Sequence, residues 1–321
     1  MRSTARARTA GLTRFSGLYV LAIVVLVFWR LLRPGVWVSS QNVSVILSEA
    51  SVVGLLAVAA VIPLSASLLD ISFANVAGFA MGLTAYLALH TGWNTWLIGA
   101  LAVAASAGFG LLSGLLVAVL ELPSLIVTLG VSSVALAATQ YLLDGQTLYP
   151  RARLAPSFLS LGTGQWGPIP IATFVLAGIG LAAWAWIEHT PSGRRLLALG
   201  GNANAARLAG VRSFRYQVLC LTLSATLSGI GGVVLLATIG TADDVSASGY
   251  LLPVIAAVFL GSTQIKSRFN VAGTFVGVIL IQTGIHGIEL KGFDQWVNYV
   301  FDGAVLIVAV IVSRRSSKYA F

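Results

Sequence analysis

Long apolar segments separated by short polar ones extend along almost the whole chain. A helix needs about 20 mostly apolar residues to cross a bilayer core of about 30 Å. Segments of approximately this kind occur ten times, at residues 15–32, 43–63, 70–90, 94–120, 124–143, 169–187, 214–238, 250–263, 271–288 and 296–313. The pattern therefore predicts an all-α, polytopic membrane helix bundle with about ten transmembrane helices.

Some of these segments are less clearly marked than others. Only residues 63–70 separate the second span from the third, and the short eighth span contains Pro253. The first apolar run follows a basic N-terminus, as in a signal peptide, but no small-residue cleavage site follows it. Arg30 and Arg33 at its far end are placed for snorkelling to an interface, which favours a retained first helix. Residues 144–168, rich in glycine and proline, form the longest predicted outer loop.

Composition excludes a water-soluble fold. Hydrophobic residues make up 57% of the chain, charged residues 9%, and the mean hydropathy is +0.92. A soluble domain carries about 25% charged residues, so this chain lacks the polar side chains to cover a water-facing surface. The net charge of +9 lies at the ends of apolar runs and not in a basic stripe. We therefore expect contact with membrane lipid and no nucleic-acid partner.

The basic residues give the predicted helices an orientation. If the N-terminus is cytoplasmic and ten spans follow, fourteen of the 19 basic residues face the cytoplasm and five face outward. This asymmetry follows the positive-inside rule. An odd number of spans would place the basic residues at 314–318 outside and weaken the asymmetry. We therefore predict that both termini are cytoplasmic. The predicted organisation is a basic cytoplasmic N-terminal tail at 1–14, a single membrane domain at 15–313 and a cytoplasmic C-terminal tail at 314–321.

Motifs for catalysis, nucleotide binding and metal binding are missing from the sequence. None of the three lysines follows a glycine, so the chain has no phosphate-binding loop of the kind that holds ATP. Cys220 is the single cysteine and allows neither an internal disulfide nor a cysteine-rich metal site. The three histidines, His90, His189 and His286, are far apart and lack a helical partner histidine. We predict no metal site, no cofactor and no enzyme activity in the chain itself.

Four acidic residues fall within or beside the predicted spans, where a charge is costly unless it is paired or in a polar cavity. Glu121 is expected at the cytoplasmic end of its span, at the interface. Asp70 lies at the break before the third span, where capping of the helix N-terminus is the simplest role. Glu49 and Asp302 lie deeper. A structural hydrogen bond and a proton relay both remain open for these two.

A polar, basic segment at 188–213 interrupts the apolar pattern. An ordinary cytoplasmic loop explains its arginines, but it does not explain the regular placement of its glycines. Residues 203–208 lie between glycines and are predicted to form a short helix, with Asn202 as its cap. The segment matches the pattern T-x-x-G-R-x-x-x-A-x-G-G-N-x-x-A-A-x-x-x-G-I, with valine at the last position. The matching residues are Thr190, Gly193, Arg194, Ala198, Gly200, Gly201, Asn202, Ala205, Ala206 and Gly210.

On these residues the chain resembles the permease subunits of ribose-type ABC importers. The similarity continues through residues 228–232, 249–261 and 268–274, and more faintly upstream, where Asp70 begins an Asp-Ile-Ser segment. The sequence departs from the family at 68–74, where two glycines are missing. It departs again after Gly261, where a double glycine is missing.

The resemblance implies a bacterial cell-membrane permease that imports a sugar by alternating access. Its partners would be a cytoplasmic ABC ATPase, an extracytoplasmic solute-binding protein and a second permease subunit, identical or similar. The ATPase would dock on a coupling loop at about 188–213. The residues that the resemblance assigns to this loop are Gly193, Arg194, Arg195, Gly200, Asn202, Ala205, Ala206, Arg207 and Gly210.

Several polar residues within the spans are candidates for the translocation path, although each is also suited to a hydrogen bond between helices. They are Glu49, Asp70, Asn75, Thr128, Gln140, Gln282 and Asn298. Two alternatives stay open. One is an ABC permease for a branched-chain amino acid or nucleoside, and the other is a secondary transporter coupled to protons through Glu49 or Asp302. A membrane scaffold without transport is disfavoured by the polar residues inside the spans.

Overall fold

The structure, a computed structural model, describes residues 39–263 and 268–316, and these residues are almost entirely helical. The α-helices of this part are α1 (Ser40–Leu64), α2 (Phe73–His90), α3 (Thr95–Val119), α4 (Ser124–Leu143), α5 (Pro156–Thr163), α6 (Ile171–His189), α7 (Pro191–Gly201), α8 (Ala203–Leu208), α9 (Ser213–Ile239), α10 (Leu251–Ser262), α11 (Val271–Leu290) and α12 (Trp296–Ser316). Short 3-10 turns lie at Pro150–Ala152 and Ser248–Tyr250. Strands β1 (Gln165–Trp166) and β2 (Ile169–Pro170) pair as a small antiparallel hairpin.

Seven of the described helices are long and apolar enough to cross a membrane: α1, α2, α3, α4, α6, α9 and α11. Two shorter apolar helices, Ser248–Ser262 and Trp296–Ile311, coincide with the predicted eighth and tenth spans. The predicted span 15–32 and the predicted tail 1–14 lie outside the described residues. The prediction of an all-α, polytopic bundle is therefore confirmed. The count of ten and the cytoplasmic termini stay predictions.

Polar side chains mark where several of these helices begin. Ser39 accepts a hydrogen bond from the backbone N–H of Asn42 at the start of α1, at 3.2 Å. Asn94 accepts one from Trp96 at the start of α3, at 2.8 Å. Asn270 accepts one from Gly273 at the start of α11, at 2.7 Å. Each bond satisfies an N–H that has no partner within its own helix.

Helix α9 lies at the centre of the bundle and packs against α1, α2 and α3. Small residues allow the closest of these contacts. A Cβ added at Gly110 of α3 would lie 2.8 Å from Thr222 Cα, and one added at Gly114 would lie 2.7 Å from Val218 Cα. Both distances are shorter than a carbon–carbon van der Waals contact of about 3.5 Å. The two glycines therefore let the backbones of α3 and α9 touch, as such spacing does in membrane bundles.

The two ends of the bundle carry different structures. At one end, called here the α7–α8 end, the connection after α1 meets Gly200, and Glu188 at the end of α6 binds Arg268 just before α11. At the opposite end, α5 and the hairpin pack beside the start of α1. There Gln165 donates a hydrogen bond to Ser44 at 3.0 Å. Buried Phe158 anchors α5 within the segment that was expected to be a plain loop.

Candidate functional site

Helix α7 is fixed to the end of α6 by a tight local turn. The Thr190 hydroxyl oxygen accepts a hydrogen bond from the Gly193 N–H at 3.0 Å, and Pro191 fills the first helical position. Gly193 lies against the backbone carbonyl groups of Trp186 and Ile187, where a Cβ would collide with both oxygens. Only glycine fits this position without moving α7 away from α6.

The far end of α7 docks on the connection between α1 and α2. The Ser67 hydroxyl donates a hydrogen bond to the Gly200 carbonyl oxygen at 2.8 Å. A Cβ at Gly200 would collide with the carbonyl oxygen of Ser65 and lie 3.0 Å from its carbon, whereas a Cβ at Gly201 would meet nothing within 4 Å. Arg194 and Arg195, between the two fixed ends of α7, are exposed.

The short helix predicted at 203–208 is confirmed, because α8 spans Ala203–Leu208. Its predicted cap is confirmed as well, since the Asn202 side-chain oxygen accepts a hydrogen bond from the Ala205 N–H at 2.9 Å. Ala206 is buried beneath the helix, while Ala205 and Arg207 are exposed. Leu208 is 91% exposed. Gly210 then takes φ +84°, a left-handed conformation that suits glycine, and leads the chain into α9.

A basic cavity of about 450 Å³ lies between α7 and the start of α9. Arg195, Arg212 and Arg215 line it together with Tyr216, and no acidic residue contributes to its described lining. Arg195 was predicted to lie in the coupling loop, but neither the cavity nor the exposure of Leu208 was predicted. Arg212 and Arg215 follow Gly210 closely in the sequence. Their position beside Arg195 depends on the direction of α9 relative to α7, which the sequence does not give.

The candidate path residues do not meet at one place in the described part of the chain. Asp70 is buried near the α7–α8 end, where one carboxylate oxygen accepts hydrogen bonds from the Ser72 N–H and hydroxyl. Its other oxygen accepts one from Ser224 of α9 at 2.7 Å. The predicted cap role of Asp70 is wrong, because α2 begins at Phe73 with Ser72 as its cap residue. Asp70 instead ties this turn to the central helix.

Three other candidates make hydrogen bonds to residues distant in the sequence. Asn75 donates to the Ser132 hydroxyl of α4 at 2.9 Å. Thr128 is buried and donates to the Leu69 carbonyl at 3.2 Å. Gln140 donates to the Asp244 carboxylate at 2.9 Å, on the exposed opposite end. The Asn75 bond joins α2 to α4, which is the interhelical alternative named above, whereas the other two join α4 to the connections at 65–72 and 240–247.

The remaining candidates lie in or near the second half of the bundle. Glu49 faces His286 of α11, and Asn298 donates to Glu289 at 3.0 Å. Gln282 and Asp302 are 5% exposed, and each has one side-chain oxygen without a hydrogen-bond partner.

A second cavity, of about 390 Å³, opens at the opposite end between the start of α1, the hairpin and α9. Glu49 is the one candidate path residue in its described lining. Its other polar lining groups, which the sequence analysis missed, are Ser44, Ser48, Thr163, Gln165, Thr238 and Tyr250. Ser44 and Ser48 are four residues apart and next to Glu49, so a polar stripe on α1 was a signal that could have found them.

The family model described as "Branched-chain amino acid transport system / permease component" matches residues 42–310. The chain belongs to this family. It is therefore a multi-pass permease of the bacterial cell membrane, a transport component and not itself an enzyme. The resemblance seen in the coupling segment is confirmed at the level of the family.

Several relatives of the chain are named for the transport of ribose or L-arabinose. The chain is 30% identical to the ribose import permease protein RbsC of Bacillus subtilis, over 94% of this chain and 92% of that protein. It is 26% identical to RbsC of Escherichia coli K12, over 86% of each chain. It is 27% identical to the L-arabinose transport system permease protein AraH of Escherichia coli K12, over 78% and 75%. No solved structure matches the chain.

Proposed function

We propose that this permease forms the translocation pathway of an ABC importer for a monosaccharide such as ribose. The names of the relatives over most of the chain support a sugar, and they favour it over an amino acid or a nucleoside. A separate ATPase supplies the energy, and a solute-binding protein delivers the sugar. A second permease subunit, identical or similar, completes the pathway, which works by alternating access.

The observation that carries this proposal is the unit formed by α7 and α8. It is anchored at Gly193 and at Gly200 against backbone atoms of α6 and of the α1–α2 connection. It leads directly through Gly210 into the central helix α9. A rigid element of this kind transmits a displacement to the spans, whereas a flexible loop absorbs it.

The exposed surface of the same unit fits an acidic protein partner. Arg194, Arg195 and Arg207 are exposed, and Leu208 offers an apolar anchor between them and the turn. Interfaces of this type combine one buried apolar contact with surrounding charges that steer the partner. The α7–α8 end is therefore proposed as the cytoplasmic face, with ten spans, both termini on that face, and the tails 1–14 and 314–321 cytoplasmic.

The cavity at the opposite end is proposed as the outer part of the path. Its hydroxyl, amide and carboxylate groups have the chemistry that binds sugar hydroxyls, because each can donate or accept a hydrogen bond. Glu49 lies in this lining. Gln282 and Asn298 are proposed further along the same path, while Asp70, Asn75 and Gln140 serve the packing of helices around it.

The test is sugar uptake by proteoliposomes that contain the permease, its ATPase and its binding protein. Ribose uptake should need ATP and continue without a proton gradient. The pair Arg207→Glu and Leu208→Asp should abolish both uptake and co-purification of the ATPase. Arg153→Glu, an exposed change at the opposite end, should leave both intact.

Two results would contradict this function. One is retained ATPase binding in the Arg207→Glu, Leu208→Asp variant, which would remove the coupling role of α8. The other is uptake driven by a proton gradient without ATP and lost in Glu49→Gln, which is the behaviour of a secondary transporter.

A further inference from the structure

Two carboxylates and one imidazole converge at the opposite end of the bundle. Glu49 of α1, His286 and Glu289 of α11 each place one ligand atom within 4.8 Å of the other two. The Nδ1 atom of His286 lies 3.5 Å from Glu49 Oε1. His286 and Glu289 share one face of α11 because they are three residues apart. Helix α1 packs against α11 and brings Glu49 to the same face.

Hydrogen bonding determines which nitrogen of His286 faces the carboxylates as an acceptor. The Nε2 atom lies 2.8 Å from the Asn42 side-chain oxygen, which can only accept. Nε2 therefore carries a hydrogen, and loss of the Nδ1 proton leaves a lone pair that points toward Glu49. The side chain of His286 is 9% exposed. Its Nδ1 atom and Glu49 Oε2 are both buried without a hydrogen-bond partner.

With a neutral imidazole, Nδ1 and the facing carboxylate oxygens are all acceptors, which is unfavourable in a protein interior unless a proton or a metal ion lies between them. A positive ion between them removes the conflict. We infer that Glu49, His286 and Glu289 bind one divalent transition-metal ion of the Zn²⁺ class. Its two positive charges balance the two carboxylates, and a neutral imidazole is the form of histidine that binds a metal.

The distance between His286 and Glu49 fits such an ion. Zn²⁺ with nitrogen and oxygen ligands has bonds of about 2.1 Å, which places neighbouring tetrahedral ligands about 3.4 Å apart. The His286–Glu49 separation of 3.5 Å matches this value. Glu289 is exposed, and its ligand atom lies within 4.8 Å of those of Glu49 and His286. Mg²⁺ and Ca²⁺ prefer oxygen ligands only, so the imidazole selects against them.

Two of the three side chains are held by hydrogen bonds from outside the cluster. Ligating side chains are usually oriented by hydrogen bonds to a second layer of groups. Asn42 orients His286, and Asn298 orients Glu289 by donating to its carboxylate at 3.0 Å. Glu49 also lines the 390 Å³ cavity, so the cluster borders a space that water or a solute can enter. Binding would join α1 to α11 at this end.

The inference does not rest on the transport role, and its test uses purified full-length protein in nanodiscs, carrying an affinity tag without histidine. Zn²⁺ is titrated calorimetrically, and Co²⁺ is added to read ligand geometry from its visible absorption. We expect one Zn²⁺ per chain and the intense bands of four-coordinate Co²⁺. His286→Gln and Glu289→Gln should weaken binding at least about tenfold, and Asn298→Ala should weaken it by a similar factor.

Matched controls separate this site from adventitious binding. His90→Gln removes an exposed histidine elsewhere in the chain and should leave the affinity unchanged. Zn²⁺ should also raise the unfolding temperature of the wild type but not that of Glu289→Gln, an exposed change that preserves folding. The inference is overturned by the absence of saturable binding. It is also overturned if Glu289→Gln binds Zn²⁺ as tightly as the wild type and His90→Gln do.

Discussion

Replacing Gly200 by alanine should uncouple the α7–α8 unit from the spans while leaving the membrane bundle folded. The new Cβ would lie 3.0 Å from the Ser65 carbonyl carbon and 3.4 Å from Ala66 Cα, and closer still to the Ser65 carbonyl oxygen. Carbon atoms in contact prefer about 3.5–4.0 Å. The end of α7 must therefore move by about 0.5–1 Å. That movement weakens the 2.8 Å bond from Ser67 to the Gly200 carbonyl.

The adjacent Gly201 provides the control, because a Cβ there meets nothing within 4 Å. Both substitutions change the helix propensity of α7 by a similar amount, up to about 1 kcal/mol, so this term cancels in the comparison. The remaining difference is the cost of forcing a methyl group against backbone atoms, about 1–3 kcal/mol. A cost of this size lowers the ratio of docked to displaced α7 by a factor of about 5–150.

The assay measures ribose uptake and ATP hydrolysis together in proteoliposomes that contain the permease, its ATPase and its binding protein. Gly200→Ala should retain ATPase binding, because the exposed arginines and Leu208 are unchanged, but should lose most of the uptake per ATP hydrolysed. Gly201→Ala should behave as wild type. Equal coupling in the two variants would refute the view that the contact with Ser65 transmits movement.

Three further predictions test the packing described above. Gly110→Ala should lower the free energy of unfolding by about 1–3 kcal/mol relative to Gly108→Ala, a change on the same helix that meets open space, as measured by denaturant titration in detergent. Ser224→Ala removes a hydrogen bond to the buried Asp70 and should cost about 1–3 kcal/mol in the same titration, whereas Ser133→Ala, exposed and bonded only within α4, should cost much less. A double-mutant cycle of Glu188→Gln and Arg268→Gln should give a coupling energy of about 0.5–3 kcal/mol for their 2.7 Å ion pair, and a value near zero would mean that this pair does not hold α6 to the start of α11.

The membrane helices were predictable because the bilayer imposes a simple rule. Each span must satisfy its own backbone hydrogen bonds and remain apolar for its full length. The predicted span 43–63 accordingly matches α1 at Ser40–Leu64, and 271–288 matches α11 at Val271–Leu290. Helix α5 was not predicted, because it is short and lies in a glycine- and proline-rich segment. Burial of Phe158 stabilises it, and that burial depends on the tertiary structure.

The α7–α8 unit was predictable in its local structure and not in its docking. The glycines around 203–208 and the amide of Asn202 act within a few residues, so the sequence pattern reports them directly. The contact of Ser67 with Gly200 joins residues 133 positions apart. The only sign of this contact in the sequence is a glycine at the end of a helix. Such a glycine can serve to end the helix or to let another backbone pack closely against it, and the sequence does not distinguish the two roles. Gly201 illustrates this, because it is the next residue and yet a Cβ there would meet no atom within 4 Å.

The metal site proposed at Glu49, His286 and Glu289 has no recognisable motif in the sequence. The expectation of no metal site considered histidine pairs on one helix, and none exists in the sequence. One half of the cluster was present as a His-x-x-Glu spacing on α11, but a single imidazole and one carboxylate are common by chance. The third ligand comes from α1 and becomes adjacent only when α1 packs against α11. Donor atoms from separate spans define a metal site by geometry, so its test has to be metal titration of the folded, full-length permease.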